Sequence, residues 1–382
     1  MHLEFTEEHD ALRKLVRDFA EGEIAPHAEA WDRDHHFPVD VVRAMGDLGL
    51  FGIPFPEEVG GGGGDLTMLC LAIEELARVD HSMAITLEAG VGLGANPIHR
   101  FGTEEQRQTW LPDLCAGRTL GGFGLTEPEA GSDAGGTRTT AVLDDAAGEW
   151  VINGEKAFIT NSGTDITAFV TVTARTGPGE ISAVIVPSGT PGFEVQPPYR
   201  KMGWHASDTH GLAFVDARVP EANLLGDRGR GFAQFLQILD EGRIAISALA
   251  VGCVQACLDH CTQYAQDRQA FGKPIGANQG VAFQVADLAV MAETARLLTY
   301  QAAWLHDTGR PCKKAAAMAK LHTTEAAVTA TRIATQIFGG YGFMDATPVA
   351  RFYRDAKILE IGEGTSEIQR LVISRELGLP VQ

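Results

Sequence analysis

The segment Trp150-Val151-Ile152-Asn153-Gly154-Glu155-Lys156-Ala157-Phe158-Ile159-Thr160 lies between two long stretches of helical periodicity. Its β-branched and aromatic residues favour an extended backbone. Asn153-Gly154 suits the left-handed turn of a two-residue loop, so the segment reads as a β-hairpin. Outward from it, Thr167 to Thr173, Ile181 to Val186 and Leu212 to Val215 are further β-rich runs, set apart by Gly and Pro. No helix of ordinary length fits between them. Residues 120–227 are expected to form one compact β domain.

Upstream, residues 1–119 carry helical pattern. Thr6 suits an N-cap, with Glu7 and Glu8 in the first turn, where negative charge complements the helix dipole. Leu12, Leu15, Val16 and Phe19 then share one face. Gly60 to Gly64 reads as a flexible connection rather than a phosphate cradle, because no Lys-Ser/Thr follows it. A second periodic stretch runs from Leu66 to Val79.

Downstream, residues 228–382 return to helix. Phe232, Phe235, Leu236 and Leu239 open a long helix that runs toward Tyr264 and Arg268 and breaks at Gly272-Lys273-Pro274. A second spans Asn278 to Asp307 and stops at Gly309-Arg310-Pro311. A third covers Lys313 to Ile337 and ends at Gly339-Gly340. A fourth starts at Ser366-Glu367-Ile368-Gln369, which matches a capping box. Four helices with short connections imply an antiparallel bundle.

Composition narrows the function. The net charge is −19, which disfavours a general role on nucleic acid or on acidic membrane surfaces. The longest uncharged run, Ile244 to Leu258, falls short of the ~20 residues a spanning helix needs. No signal-peptide pattern opens the chain, so a cytoplasmic protein is expected. Six cysteines in 382 residues are no disulfide framework. Cys253, Cys257 and Cys261 share a helical face beside His260, but one straight helix cannot wrap four ligands around an ion, so core packing is the expectation and no metal is expected. No Gly-x-Gly-x-x-Gly follows a strand to open a helix, and no Gly-x-Ser-x-Gly elbow is present.

The loops carry the decisive signal. Phe123-Gly124-Leu125-Thr126-Glu127-Pro128-Glu129-Ala130-Gly131-Ser132-Asp133 resembles the signature of the acyl-CoA dehydrogenase family. So do Arg268-Gln269-Ala270-Phe271-Gly272, Gln336-Ile337-Phe338-Gly339-Gly340-Tyr341-Gly342, Arg354-Asp355-Ala356-Lys357-Ile358 and Glu363-Gly364-Thr365-Ser366-Glu367-Ile368-Gln369-Arg370. The resemblance covers essentially the whole chain, in the family's order and spacing, and its wording is most like the short-chain and short branched-chain members. It implies an α+β multidomain fold: an N-terminal helical domain, a middle β-barrel-like domain and a C-terminal four-helix bundle. It also implies FAD-dependent removal of hydrogens from Cα and Cβ of a short or short branched acyl-CoA, giving the trans-2-enoyl-CoA. FAD supplies the hydride acceptor that no side chain can provide.

Residue by residue, the resemblance places Phe123, Leu125, Thr126, Gly131, Ser132, Phe158 and Thr160 at the flavin, with Thr365 and Glu367 also cofactor-binding. Arg268, Phe271, Gln279, Gln336, Gly339 and Gly340 match positions that reach the FAD of a neighbouring subunit, which implies a homo-oligomer, a tetramer built as a dimer of dimers. Ser132, Asp240, Arg243, Gly364 and Arg375 match substrate-contacting positions; Arg243 reads equally well as a structural ion-pair partner. Electron transfer flavoprotein is the implied partner. An acyl-CoA oxidase is the first alternative, disfavoured by chain length and the lack of an added C-terminal domain. A non-catalytic flavin-binding relative is the second, disfavoured by an intact Glu363 and Arg243.

Glu363 matches the family's usual catalytic base. Some members carry the base instead on the long helix, just before the residue matching Arg243, where this chain has Gly242. Glu241 is one residue away, and a helix turns about 100° per residue, so it points elsewhere. The thioester oxygen is expected to meet the backbone N–H of Glu363 and a flavin ribityl hydroxyl, which would stabilise enolate-like charge. Two departures stand out: Phe158 where many members have Trp, and Gly362 where many have Tyr beside the base.

Overall fold

The computed structural model describes residues 5–381. Seven helices come first: α1 Glu7–Phe19, α2 Ala28–Asp34, α3 Val39–Asp47, α4 Leu66–Ala77, α5 His81–Glu88, α6 Asn96–Phe101 and α7 Glu104–Cys115. Eight strands follow: β1 Leu120–Gly124, β2 Thr140–Asp144, β3 Glu149–Thr160, β4 Thr167–Gly177, β5 Glu180–Pro187, β6 Phe193–Pro198, β7 Thr209–Pro220 and β8 Leu224–Leu225. The chain then returns to helix with α8 Gly231–Asp267, α9 Gln279–Asp307, α10 Lys313–Phe338, α11 Pro348–Ala356 and α12 Ser366–Glu376. Thr6 caps α1 as its sequence suggests, its hydroxyl accepting from the His9 N–H.

The sheet runs β6-β7-β3-β2-β4-β5-β8, with β1 laid parallel on β4. β2 and β4 meet at a single pair, Thr140 with Arg175, so the sheet folds there into two halves. Trp150, Ile152 and Phe214 from one half pack on Val170, Val172, Val184 and Val186 from the other, and this alternating inward face forms a core of its own.

Asn153-Gly154 is not a hairpin turn. β3 passes straight through it, antiparallel to β2 on one side and β7 on the other. The turn is residues 145–148, directly after β2, closed by the Ala147 and Gly148 N–H groups donating to Asp144 O. Gly154 instead marks a bulge against β7: its φ is +145°, and a Cβ there would sit 2.5 Å from Thr139 Oγ1. The Asn153 amide answers across the bulge, donating to Asp216 Oδ1 and accepting from the Asp216 N–H. Isolated Gly inside a strand often marks a bulge of this kind.

The Gly60 to Gly64 connection is pinned rather than loose. The N–H groups of Gly61, Gly62, Gly63 and Gly64 donate to Pro56, Gly52, Phe55 and Ile53 carbonyls. A Cβ at Gly61 would lie 2.0 Å from Phe55 O, so close backbone approach explains that glycine.

Helix α8, about 55 Å long at the usual rise, is the axis of the molecule. α4, α9 and α10 all pack along it. By length and apolar composition α8 alone among the described helices is long enough to cross a membrane, but 78 % of its most apolar window is buried by those neighbours. Cys253, Cys257 and Cys261 are buried on it as free thiols. Burial pushes the Cys261 thiol up to about 12, which leaves it inert at neutral pH. The break after α8 is itself a hairpin: Gln269-Ala270 pairs with Lys273-Pro274 around Phe271 and Gly272, both at positive φ.

Candidate active site

Four elements converge on the Glu363 carboxylate. Glu88 ends α5, Gly242 lies about a third of the way along α8, Lys320 sits in the first third of α10, and Glu363 precedes α12. A Cβ placed on Gly242 would be 2.4 Å from Glu363 Oε2 and 3.7 Å from Glu88 Oε1. Glycine is therefore what makes room for the carboxylate, and the two alternative base positions read from the sequence face one spot in space. Glu241 does point away: it accepts from Asn96 Nδ2 at 2.9 Å and pairs with Arg100.

Glu363 holds φ +53°, a left-handed conformation that costs a non-glycine residue roughly 1–3 kcal/mol. Gly364 follows at +92°. The loop is fastened from two sides: Lys320 Nζ and Gln369 Nε2 each donate to Gly364 O at 2.8 Å. The helix cap falls one residue earlier than the sequence suggests. Thr365, not Ser366, is the N-cap of α12, its hydroxyl accepting from the Ile368 N–H. The capping box is thus absent, because N3 is then Ile368, which has no polar side chain, and Gln369 goes to the Glu363 and Gly364 carbonyls. Glu367 is exposed in the first turn of α12.

Burial raises the Glu363 carboxyl above the usual carboxylate range, opposed by Glu88, Lys320 and Arg243. Glu88 is fully buried, and burial together with the facing Glu363 pushes its carboxyl well up. Neither Glu88 oxygen nor Glu363 Oε2 has a hydrogen-bond partner among the described residues. The pair is satisfied when Glu88 keeps its proton and shares it with an ionised Glu363. Arg243 is buried and paired with Asp240 one turn earlier, leaving its Nε without a partner. Burial raises Asp240, and Arg243 opposes that shift.

On the sheet, Phe123 and Leu125 are buried at the end of β1, with Phe123 stacked on Phe235 of α8 at 4.0 Å. Phe158 is 66 % exposed at φ +63°, its ring presented to open space beside Tyr199. Thr126 and Thr160 are partly exposed, Gly131 and Ser132 fully so. Glu127 builds the loop between them. Its carboxylate accepts from Lys156 Nζ at 2.8 Å and from the Arg138 and Thr139 N–H groups, and Lys156 also donates to Leu125 O. Burial lowers the Lys156 ammonium to about 8, with Glu127 holding it up. An exposed flat ring, open hydroxyls and a braced glycine loop fit a planar, hydrogen-bonding cofactor.

Arg268, Phe271, Gln279, Gln336, Gly339 and Gly340 gather elsewhere, all exposed at the far end of α8 and α10. Arg268 lies over the Tyr341 ring at 5.6 Å, which joins the two loops. Lys320 and Gln336 are both on α10, and its rise separates them by about 24 Å. Arg375 is exposed on α12, its Nε donating to Val381 O, and is not brought to Glu363.

Sequence reading gives no role to Glu88, Lys320 or the Glu127–Lys156 pair, and assigns Gln369 to a helix cap instead of the Glu363 and Gly364 carbonyls. The available signal was a lone charge amid apolar neighbours, as in Leu87-Glu88-Ala89 and Ala319-Lys320-Leu321. A buried charge demands a partner, and no partner adjoins in sequence.

The chain resembles known proteins along nearly its whole length. Residues 6–118, 122–217 and 229–378 match the N-terminal, middle and C-terminal domains of acyl-CoA dehydrogenase. A Bacillus subtilis (strain 168) protein named "Probable acyl-CoA dehydrogenase YngJ" is 52 % identical, covering 99 % of this chain and 100 % of its own. The solved butyryl-CoA dehydrogenase from Megasphaera elsdenii superposes with TM-score 0.96 at 41 % identity, covering 99 % of this chain and 100 % of that one. A chain in the structure described as "Electron transferring flavoprotein of Acidaminococcus fermentans: Towards a mechanism of flavin-based electron bifurcation" also gives 0.96, at 42 % identity and 99 % coverage of both. With matches spanning all three parts of the chain, it belongs to the acyl-CoA dehydrogenase family, whose members are FAD-dependent flavoproteins acting on acyl-CoA.

Proposed function

We propose that this enzyme desaturates short straight or short branched acyl-CoA thioesters between Cα and Cβ, with Glu363 as the base and electron transfer flavoprotein as the electron acceptor. The observation that carries the assignment is Glu363 itself: a buried carboxylate, held in a strained backbone conformation, facing a gap kept by Gly242. Bound FAD supplies the hydride-accepting chemistry. Glu363 takes the α-proton, and the raised proton affinity that burial gives its carboxyl suits a weakly acidic C–H. Its N–H finds no backbone acceptor among the described residues and is free to donate to the thioester oxygen, where negative charge develops. Short-chain preference and the acceptor take support from the butyryl-CoA dehydrogenase and electron-transferring-flavoprotein structures above. Anaerobic bleaching of the flavin by butyryl-, isobutyryl-, isovaleryl- and octanoyl-CoA, followed by reoxidation with electron transfer flavoprotein, tests both. Fastest bleaching by octanoyl-CoA would overturn the short-chain reading.

Gly362 bears on branching. A Cβ there would meet only Ile358 O at 3.5 Å and Ile358 Cγ1 at 4.0 Å, so a larger residue enters without backbone strain. Gly362→Tyr is expected to lower kcat/KM for isobutyryl- or isovaleryl-CoA more than for butyryl-CoA, by about 1–3 kcal/mol of discrimination. FAD content should not change. An unchanged ratio of the two kcat/KM values removes Gly362 from the acyl pocket.

The distant cluster supports a site completed by a second copy of the chain. Arg268 cannot close a pocket around Glu363 of its own chain across that span, yet its fork suits a cofactor pyrophosphate. Phe271 is 97 % and Phe343 91 % exposed beside it, apolar surface that a partner copy would cover. Arg268→Ala is expected to weaken FAD binding about 10- to 100-fold and to loosen the oligomer together. Flavin titration and sedimentation on one preparation check this; full FAD occupancy in an unchanged assembly contradicts it.

A further inference from the structure

Lys320 has no part in the chemistry described so far, yet it is fully buried. Its Nζ reaches the backbone of the residue after the base, Gly364 O, at 2.8 Å. Gln369 Nε2 takes the same oxygen at the same distance and also reaches Glu363 O at 3.3 Å. A left-handed Glu363 persists only if its surroundings over-determine it, and these two side chains grip the Glu363 and Gly364 carbonyls, Lys320 the second and Gln369 both.

We propose that Lys320 is a positioning residue for the catalytic carboxylate: its ammonium fastens the Gly364 carbonyl, holds Glu363 facing the Gly242 gap, and keeps a positive charge behind it. The inference rests on Glu363 being the base. The groups facing Glu363 are Glu88 from α5, Arg243 with its partner Asp240 from α8, Lys320 from α10 and Gln369 from α12. Both Lys320 and Arg243 favour ionised Glu363, Lys320 the more strongly, and Arg243 divides its charge with Asp240, so Lys320 is the cation to test first. Burial lowers Lys320 to about 8, with Glu363 the first group opposing that shift. The ammonium and the carboxylate support each other's charge.

The sign follows. Catalysis uses the carboxylate form, so removing a nearby cation raises the pH at which Glu363 becomes active. The acid limb of the pH–rate profile moves up, with the largest relative loss at low pH and little at high pH.

Three variants of the FAD-loaded enzyme separate the two roles. Lys320→Met removes bond and charge: kcat for butyryl-CoA should fall about 10- to 100-fold with KM little changed, and the acid limb should move to higher pH. Lys320→Gln keeps a donor without charge: the limb should move while kcat on the plateau stays closer to wild type. Gln369→Leu removes a neutral donor: kcat should fall with the limb in place. A Lys320→Met limb that coincides with wild type overturns the electrostatic role, and an unchanged plateau kcat overturns the clamp. If the methionine variant fails to fold, an unmoved limb in Lys320→Gln overturns the electrostatic role and an unchanged plateau kcat in Gln369→Leu overturns the clamp. Glu363→Gln, measured alongside, keeps the failures apart: if it bleaches normally the base assignment is wrong, whereas an inert Glu363→Gln with normal Lys320 variants sinks the clamp alone.

Discussion

Glu363→Gln should bind FAD as wild type does and lose flavin bleaching by butyryl-CoA by at least about 10²-fold. The amide fills the same volume against Gly242, where a Cβ would already touch the Glu363 oxygen, so pocket shape is kept. It offers nothing to take the α-proton. Anaerobic stopped-flow absorbance at the flavin band measures the rate, and the flavin-to-protein ratio checks loading. Bleaching near the wild-type rate would move the base elsewhere. Glu88 would then be the candidate, since Glu241 is tied to Asn96 and Arg100 on the far side of α8.

Lys156→Met should destabilise the protein by about 3–5 kcal/mol and release FAD with it. Methionine fits the stem's volume, but Glu127 would be left as a buried carboxylate with no cation. The two backbone N–H bonds from Arg138 and Thr139 would remain and would not replace the lost charge. As the pair holds both ends of the 125–139 loop, disorder there should reach the flavin. With the Glu127 pKa lowered, its contribution is present above the ordinary carboxylate range and lost as pH falls through the lowered value. Urea unfolding at neutral pH and flavin content are the measurements. Lys156→Met combined with Glu127→Gln should recover much of the stability, because the amide oxygen still accepts and no charge is stranded. Equal stability for Lys156→Met and wild type would show the pair to be dispensable.

Helix and strand period made the partition of the chain legible, since a 3.6-residue repeat holds over α8, α9 and α10 and fails between Leu120 and Leu225. Motif blocks pointed to Thr126, Phe158 and Glu363 for the proposed site, and of these Phe158 and Glu363 hold positive φ, a local strain that no periodicity announces. Asn153-Gly154 misled because left-handed geometry serves bulges and turns alike, and only the register with β7 separates them. Ser366 misled by one position, as Thr365 beside it has the same hydroxyl. Glu88 and Lys320 were out of reach for another reason. They are 275 and 43 residues from Glu363 along the chain, and a contact between such groups is a property of the packing of α5 and α10 on α8.

The length of α10 between Lys320 and Gln336 has a genetic consequence. If each pocket takes its base from one chain and Arg268 from another, then Glu363→Gln and Arg268→Ala are lesions in different halves of the same pocket. Placed in separate subunits of one assembly, they combine in a pocket that is doubly broken and in another where both residues are intact. Two inactive alleles expressed together would then restore activity that neither gives alone, the behaviour of intragenic complementation.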